Sequence, residues 1–175
     1  MTVFVISQEL SSSIETIVKI LSSLLNLGVF DLVFVITAIA FNLLITGIFI
    51  AQKKGRIDLV RKLGISWLGL SVPLGVVFLY YLREGRETWI MVYFGLIFLY
   101  IFVELLLDYI LKFDFRRRWR THIPYIVLEY IALFGLIGIS FSIHPTWGYL
   151  VTISFWVLLA SLIYLYWGKS KKQLS

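Results

Sequence analysis

Cysteine is absent from this 175-residue sequence, which also has only two histidines and three prolines. Without cysteine the chain has no disulfide, no thiolate ligand for a metal and no cysteine nucleophile. His122 and His144 lie at opposite ends of one long apolar segment, so they cannot share a metal or a haem iron. No G-x-S-x-G, H-E-x-x-H or phosphate-loop motif occurs. The sequence therefore predicts no cofactor and disfavours the common hydrolase mechanisms.

Charged residues are also scarce. They make up 15% of the chain, whereas hydrophobic residues make up 60%. Soluble domains have roughly 45–50% apolar residues, so this composition is typical of an integral membrane protein. Long hydrophobic segments occupy most of the sequence, which leaves no room between them for a soluble catalytic domain.

Five apolar segments are each close to the roughly 20 residues that an α-helix needs to cross a bilayer. They cover about 30–52, 63–82, 89–111, 123–143 and 147–167. We therefore predict an all-α integral membrane protein, a five-transmembrane-helix bundle whose membrane domain covers 29–168. Residues 1–28 carry apolar side chains at helical spacing and are predicted to form an N-terminal amphipathic helix at the membrane interface. Residues 169–175 are predicted to be a basic cytoplasmic tail.

Basic residues are distributed unequally among the connections. Thirteen of the sixteen lie in the first and third connections and in the C-terminal tail, and three lie elsewhere. Cytoplasmic loops collect lysine and arginine. The distribution predicts an extracytoplasmic N-terminus and a cytoplasmic C-terminus, which agrees with an odd number of spans.

Apart from Asp31 at the start of the first span, three acidic residues fall within the predicted spans, namely Glu104 and Asp108 in the third and Glu129 in the fourth. An aspartate at the centre of a membrane helix costs about 2.5–3.5 kcal/mol on insertion scales, so these residues need an explanation. At 1.5 Å per residue, Glu104 and Glu129 lie roughly 12 and 10 Å below the same cytoplasmic boundary. Because spans three and four are antiparallel neighbours, we predict that the two glutamates meet, with Tyr100 and Asn42 as supporting partners.

Each span carries one stripe of polar or small residues at 100° per residue. We predict that all five stripes turn inward and give the bundle a polar interior. The stripes contain Asp31, Ala38, Asn42 and Thr46; Lys62, Ser66, Gly69, Pro73 and Tyr80; Tyr93, Tyr100, Glu104 and Asp108; Tyr125, Glu129, Leu133, Leu136 and Ser140; and Trp147, Ser154, Ser161 and Gly168. Pro73 lies within the second span and lacks an amide proton, which predicts a kink there.

Three hypotheses explain this interior. The preferred one is a transport-type or channel-type protein in which Glu104, Asp108 and Glu129 form a cation or proton site. A second makes the carboxylates structural, paired with tyrosine, asparagine or basic side chains. In the third, Glu104, Asp108 and Asp114 hold a divalent metal against a lipid phosphate, as in a metal-dependent lipid-phosphate enzyme.

A basic cluster follows the third span and contains Arg116, Arg117, Arg118 and Arg120. Topology alone accounts for basic residues at this place, but they are also candidates for binding anionic lipid head groups. An alternative function is therefore a non-enzymatic accessory subunit that binds lipid or another membrane protein. Five spans cannot form two equal inverted halves, so a transporter of that kind would be a homo-oligomer. Basic residues split over three short segments disfavour nucleic acid as a partner.

Overall fold

A computed structural model describes the backbone of residues 28–110 and 119–166 and the side chains of residues 28–107 and 123–166. Within these ranges the chain forms six α-helices and one π-helical segment. They are α1 (Val29–Lys53), α2 (Ile57–Gly69), α3 (Ser71–Arg83), α4 (Thr88–Glu104), the π-helical segment Leu105–Ile110, α5 (Trp119–Ile143) and α6 (Pro145–Tyr166). The predicted amphipathic helix of residues 1–28 and the tail of residues 169–175 lie outside the described residues, Gly28 excepted.

Five of these helical units are long and apolar enough to cross a membrane. They are Val29–Lys53, Ile57–Arg83, Thr88–Leu107, Ile123–Ile143 and Pro145–Tyr166. The prediction of an all-helical chain with five candidate spans is confirmed. Such a chain fits a multi-pass membrane protein, because a helix satisfies its backbone amides and carbonyls internally.

The second span is broken near its middle, where α2 ends at Gly69 and α3 begins at Ser71. Pro73 has no amide to donate to the carbonyl of Gly69, four residues earlier. At the break the Leu70 amide instead bonds the Trp67 carbonyl three residues back, at 3.0 Å. The break lies three residues before Pro73, where the missing amide predicts an irregularity, and the kink itself stays a prediction.

Helix α1 lies at the centre of the bundle. It packs against α2, α3, α5 and α6, and its Phe34 ring meets Phe94 of α4 at 5.6 Å. In the most apolar 18-residue stretch of α1, 44% of the residues are buried, whereas 17% are buried in the corresponding stretch of the second span. The second span is therefore peripheral, and α1 is the helix that the others surround.

The inward stripes are confirmed for most described positions, including Asn42, Tyr100 and Ser154, but the prediction is wrong for the second span. There Lys62, Ser66 and Gly69 are exposed, whereas Trp67 and Tyr81 are buried. Large side chains make many more dispersion contacts than serine or glycine, so the bundle turns them inward. Exposure does not leave the serine unsatisfied, because its hydroxyl donates to the Lys62 carbonyl at 3.1 Å.

Candidate functional site

The candidate site lies between α4 and α5 and consists of Tyr100, Glu104, Tyr125 and Glu129, here called the carboxylate–tyrosine site. Each helix contributes a tyrosine and a glutamate four residues apart, which places both side chains on one helical face. The two helices are antiparallel and approach closely at Gly135, where an added Cβ would lie 2.8 Å from the Tyr93 ring. This close approach allows side chains on the two helices to meet.

A hydrogen-bond chain joins the two helices at this site. The Tyr125 hydroxyl donates to Oε2 of Glu104, and the hydroxyl oxygens of Tyr100 and Tyr125 are 3.4 Å apart. A phenol carries one proton, so a Tyr125 that donates to Glu104 accepts from Tyr100. Glu129 interacts electrostatically with both tyrosines. Glu129 therefore lies near the tyrosine pair that includes the donor to Glu104, and the meeting of the two glutamates stays a prediction.

Aromatic residues from two other helices close the inner side of the site. Tyr100 is 2% exposed and Tyr125 is 9% exposed. The Trp67 ring of α2 lies edge-on to Tyr100 with centroids 5.5 Å apart, and Phe41 of α1 packs against Trp67 at 4.8 Å. The buried Nε1 of Trp67 has no hydrogen-bond partner among the described residues. The rings of Trp67 and Phe41 therefore cover the tyrosines on the side that faces α1 and α2.

The site has the chemistry to hold a proton or a hard cation. Carboxylate oxygens are the ligands that hard cations prefer. A phenol between a carboxylate and a second phenol can donate in one direction and accept in the other. Acidic residues inside membrane spans mark ion paths and proton relays. Within the described ranges, no group of three or more histidine, aspartate and glutamate side chains is arranged to hold a metal ion.

The helix changes its geometry immediately after Glu104. The π-helical segment Leu105–Ile110 closes its hydrogen bonds over five residues instead of four, and such segments are frequent at functional sites. The prediction that Glu104 and Asp108 share one face stays a prediction. The side chain of Asp108 lies outside the described residues.

Asn42, predicted as a partner of the glutamates, is bonded elsewhere. Its Nδ2 donates to Oγ of Ser154 at 2.8 Å and faces the Val151 carbonyl at 3.4 Å, both on α6. No hydrogen bond joins it to either glutamate in the described structure. Asn42 thus links α1 to α6, and its part in an ion site stays a prediction.

A second polar cluster lies at the opposite end of the bundle and is formed by Asp31, Tyr81 and Arg86, here called the Asp31 cluster. The Tyr81 hydroxyl donates to Oδ1 of Asp31 at 2.5 Å, and the Arg86 guanidinium lies 3.3 Å from the same oxygen. That guanidinium also sits over the Tyr81 ring, 4.8 Å from its centroid. Sequence analysis did not predict this cluster, whose members lie 50 and 55 residues from Asp31 along the chain.

The remaining predicted site residues cannot be placed. Asp114 and the basic cluster of Arg116, Arg117, Arg118 and Arg120 have side chains outside the described residues. The lipid-binding accessory subunit and the metal-dependent lipid-phosphate enzyme depend on these side chains, so both stay predictions.

Comparison with protein families, with curated proteins and with solved structures gives no match for this chain. Its function therefore has to be argued from the chemistry of its own residues.

Proposed function

We propose that this chain is a small transport-type membrane protein in which the carboxylate–tyrosine site binds a proton or a cation. The observation that carries the proposal is the hydrogen bond from Tyr125 to Glu104 between two adjacent spans, with Glu129 interacting with the same tyrosine. Carboxylates are costly within hydrocarbon. One of them bonded to a tyrosine of the facing helix, with a second four residues from that tyrosine, favours a binding role over accidental placement.

Packing near the other end of the bundle favours a carrier over a permanently open pore through one chain. Phe34, Phe94 and Tyr81 are fully buried there, and their rings contact one another at centroid distances of 5.6 to 6.4 Å. Close-packed interiors leave little room for a continuous water path. Movement of an ion past this aromatic layer requires a change of helix packing or a path between subunits of a homo-oligomer.

The distribution of basic residues supports a cytoplasmic location for the end of the bundle at which α4 finishes, here called the Glu104 end. Thirteen of sixteen basic residues belong to the segments assigned to this side. By the positive-inside rule the N-terminus is then extracytoplasmic and the C-terminus cytoplasmic. The carboxylate–tyrosine site lies in the cytoplasmic half of the bundle in this orientation.

The test is flux into proteoliposomes that carry an internal pH-sensitive or cation-sensitive dye. Glu104→Gln and Glu129→Gln keep the size and hydrogen-bonding capacity of each side chain but remove its titratable charge. We expect both variants to lower flux towards the level of protein-free liposomes. The matched control is Glu84→Gln, which changes an exposed acid in the turn after α3 and should retain full flux. Wild-type flux in both site variants would contradict the proposal.

A further inference from the structure

We propose that an anionic phospholipid binds in a groove between α1 and α6 near the Glu104 end, with one acyl chain in the groove and its phosphate at Lys54. This α1–α6 groove has a volume of about 370 Å³, within the range of roughly 300–1,000 Å³ that is usual for small-ligand pockets. The inference is independent of the carboxylate–tyrosine site, which lies between α4 and α5.

The groove follows both helices lengthwise. Helix α1 contributes Thr46 and Ile50, and Lys54 follows directly at its C-terminal end; the three residues are spaced by four along the chain. Eight residues of α-helix extend about 12 Å, so the groove runs along the span and ends at the lysine. On α6 the small side chain of Ala160 lies between bulkier neighbours and opens the groove. This elongated shape suits a hydrocarbon chain.

The floor of the groove is compatible with hydrocarbon although it contains two hydroxyls. Thr46 donates to the Asn42 carbonyl at 2.9 Å, and Ser161 donates to the Leu158 carbonyl at 2.7 Å. Both hydroxyls are thus satisfied within their own helices. An acyl chain lying over them leaves no donor without an acceptor, and burying a satisfied hydroxyl avoids the cost of an unmade hydrogen bond.

The mouth of the groove is basic. Lys54 is exposed directly after α1. The ammonium group of Lys53 donates to the main-chain carbonyl of Tyr164 and lies 3.8 Å from the centroid of that ring. Tyr164, which forms part of the wall, is thereby held against α1. Charge at the mouth and hydrocarbon along the walls match a lipid with an anionic head group.

The surroundings of the groove also favour a lipid over a water-soluble ligand. Val157 and Tyr164 are 45% and 46% exposed, so the groove opens on the outer surface of two candidate spans. In a membrane this surface faces acyl chains. A groove with a basic residue at the predicted interface therefore meets a lipid in its natural orientation, head group outward and chain along the span.

The experiment is native mass spectrometry of the full chain, delipidated in mild detergent and titrated with phosphatidylglycerol or phosphatidylcholine of identical acyl chains. We expect the wild type to bind one phosphatidylglycerol more tightly than phosphatidylcholine. Lys54→Gln should weaken phosphatidylglycerol binding about five-fold, the equivalent of about 1 kcal/mol for one basic residue near an anionic surface, and leave phosphatidylcholine unchanged. Ala160→Phe should fill the groove and remove one bound lipid of either kind.

Two control variants separate a built site from general attraction. Lys62→Gln removes an exposed lysine at the same end of the bundle outside this groove, and Val76→Phe enlarges an exposed apolar side chain on α3. Both should bind lipid like the wild type. Equal losses in Lys54→Gln and Lys62→Gln, or wild-type binding in Ala160→Phe, would overturn the proposal. If Ala160→Phe fails to fold, lipid binding by Ala160→Leu and Lys54→Gln tests the proposal in its place.

Discussion

The two ends of the bundle use the same pair of groups, a carboxylate and a tyrosine hydroxyl, in different settings. In the Asp31 cluster one carboxylate receives both the Tyr81 hydroxyl and a guanidinium. In the carboxylate–tyrosine site the Tyr125 hydroxyl donates to Glu104 across two helices, and Glu129 lies on the same helical face as Tyr125. The first arrangement joins an acid to both a tyrosine and a basic side chain, whereas in the second a hydrogen bond joins an acid to a tyrosine of the next helix.

This difference suggests different roles for the two ends. Opposite charges that neutralise one another join chain segments, and the Asp31 cluster connects α1 to α3 and to the turn that follows it. For the carboxylate–tyrosine site the proposed role is to bind a proton or a cation, since acids within membrane spans are costly and often mark ion paths. The following predictions test whether one end is structural and the other functional.

The largest effect on stability is expected from Asp31→Leu. This change removes the acceptor of the buried Tyr81 hydroxyl and the partner of Arg86. The free energy of unfolding in detergent should fall by about 3 kcal/mol, the upper end of the usual cost of a buried unsatisfied donor. Glu84→Leu, at an exposed position in the turn, is the control and should change it by less than about 0.5 kcal/mol. Equal free energies of unfolding for the two variants would mean that the Asp31 cluster does not stabilise the fold.

Removing one tyrosine hydroxyl from each end gives the sharpest comparison. Tyr81→Phe and Tyr125→Phe should each lower the free energy of unfolding by about 1.5 kcal/mol, because each loses a hydrogen bond to an acidic group. Only Tyr125→Phe should also lower proteoliposome flux, since Tyr81 lies outside the proposed site. If both variants kept full flux, the tyrosines would have no part in transport. If both lost it equally, the distinction between the ends would fail.

A smaller effect is expected from Arg86→Gln. The arginine side chain is 36% exposed, so its ion pair with Asp31 should contribute less than about 1 kcal/mol. Raising the salt concentration from 0.1 to 1 M shortens the Debye length from about 10 to about 3 Å. Unfolding is followed at both concentrations. The free energy of unfolding of the wild type should fall as salt is raised, and that of the variant should fall less. The same salt dependence in both proteins would show that other charges cause it.

The smallest effect is expected from Asn42→Leu. Asn42 lies on α1 between the two ends of the bundle. The change removes the link to Ser154, but the Ser154 hydroxyl still donates to the Val151 carbonyl at 2.7 Å. Hydrogen bonds between membrane helices average about 0.6 kcal/mol, and the new leucine recovers part of that by packing. Thermal unfolding and flux should both stay near the wild type. A large loss of flux would support the prediction from the sequence that Asn42 is a partner in the ion site.

The helical stripes that carry the carboxylate–tyrosine site were predictable because they depend on spacing within single helices and on one antiparallel contact, but Tyr125 as the donor to Glu104 was not predicted. Glu104 and Tyr100 are four residues apart, as are Glu129 and Tyr125, and a short connection makes their helices neighbours. The partner of Asn42 was not predictable in the same way. Ser154 is 112 residues away along the chain, and no local pattern indicates which of the surrounding helices faces a given side of α1.

The amino-acid sequence determined the all-helical class and the number of candidate spans, because hydropathy and length are summed within each helix and every backbone polar group of a spanning helix must be satisfied there. Only the tertiary structure decided that Trp67 turns inward in place of Ser66, that Asp31 meets Arg86, and that a groove opens beside Ala160. These outcomes depend on how the volumes and shapes of side chains from several helices fit together. That fit is a property of the assembled bundle and leaves no periodic signal in any single helix.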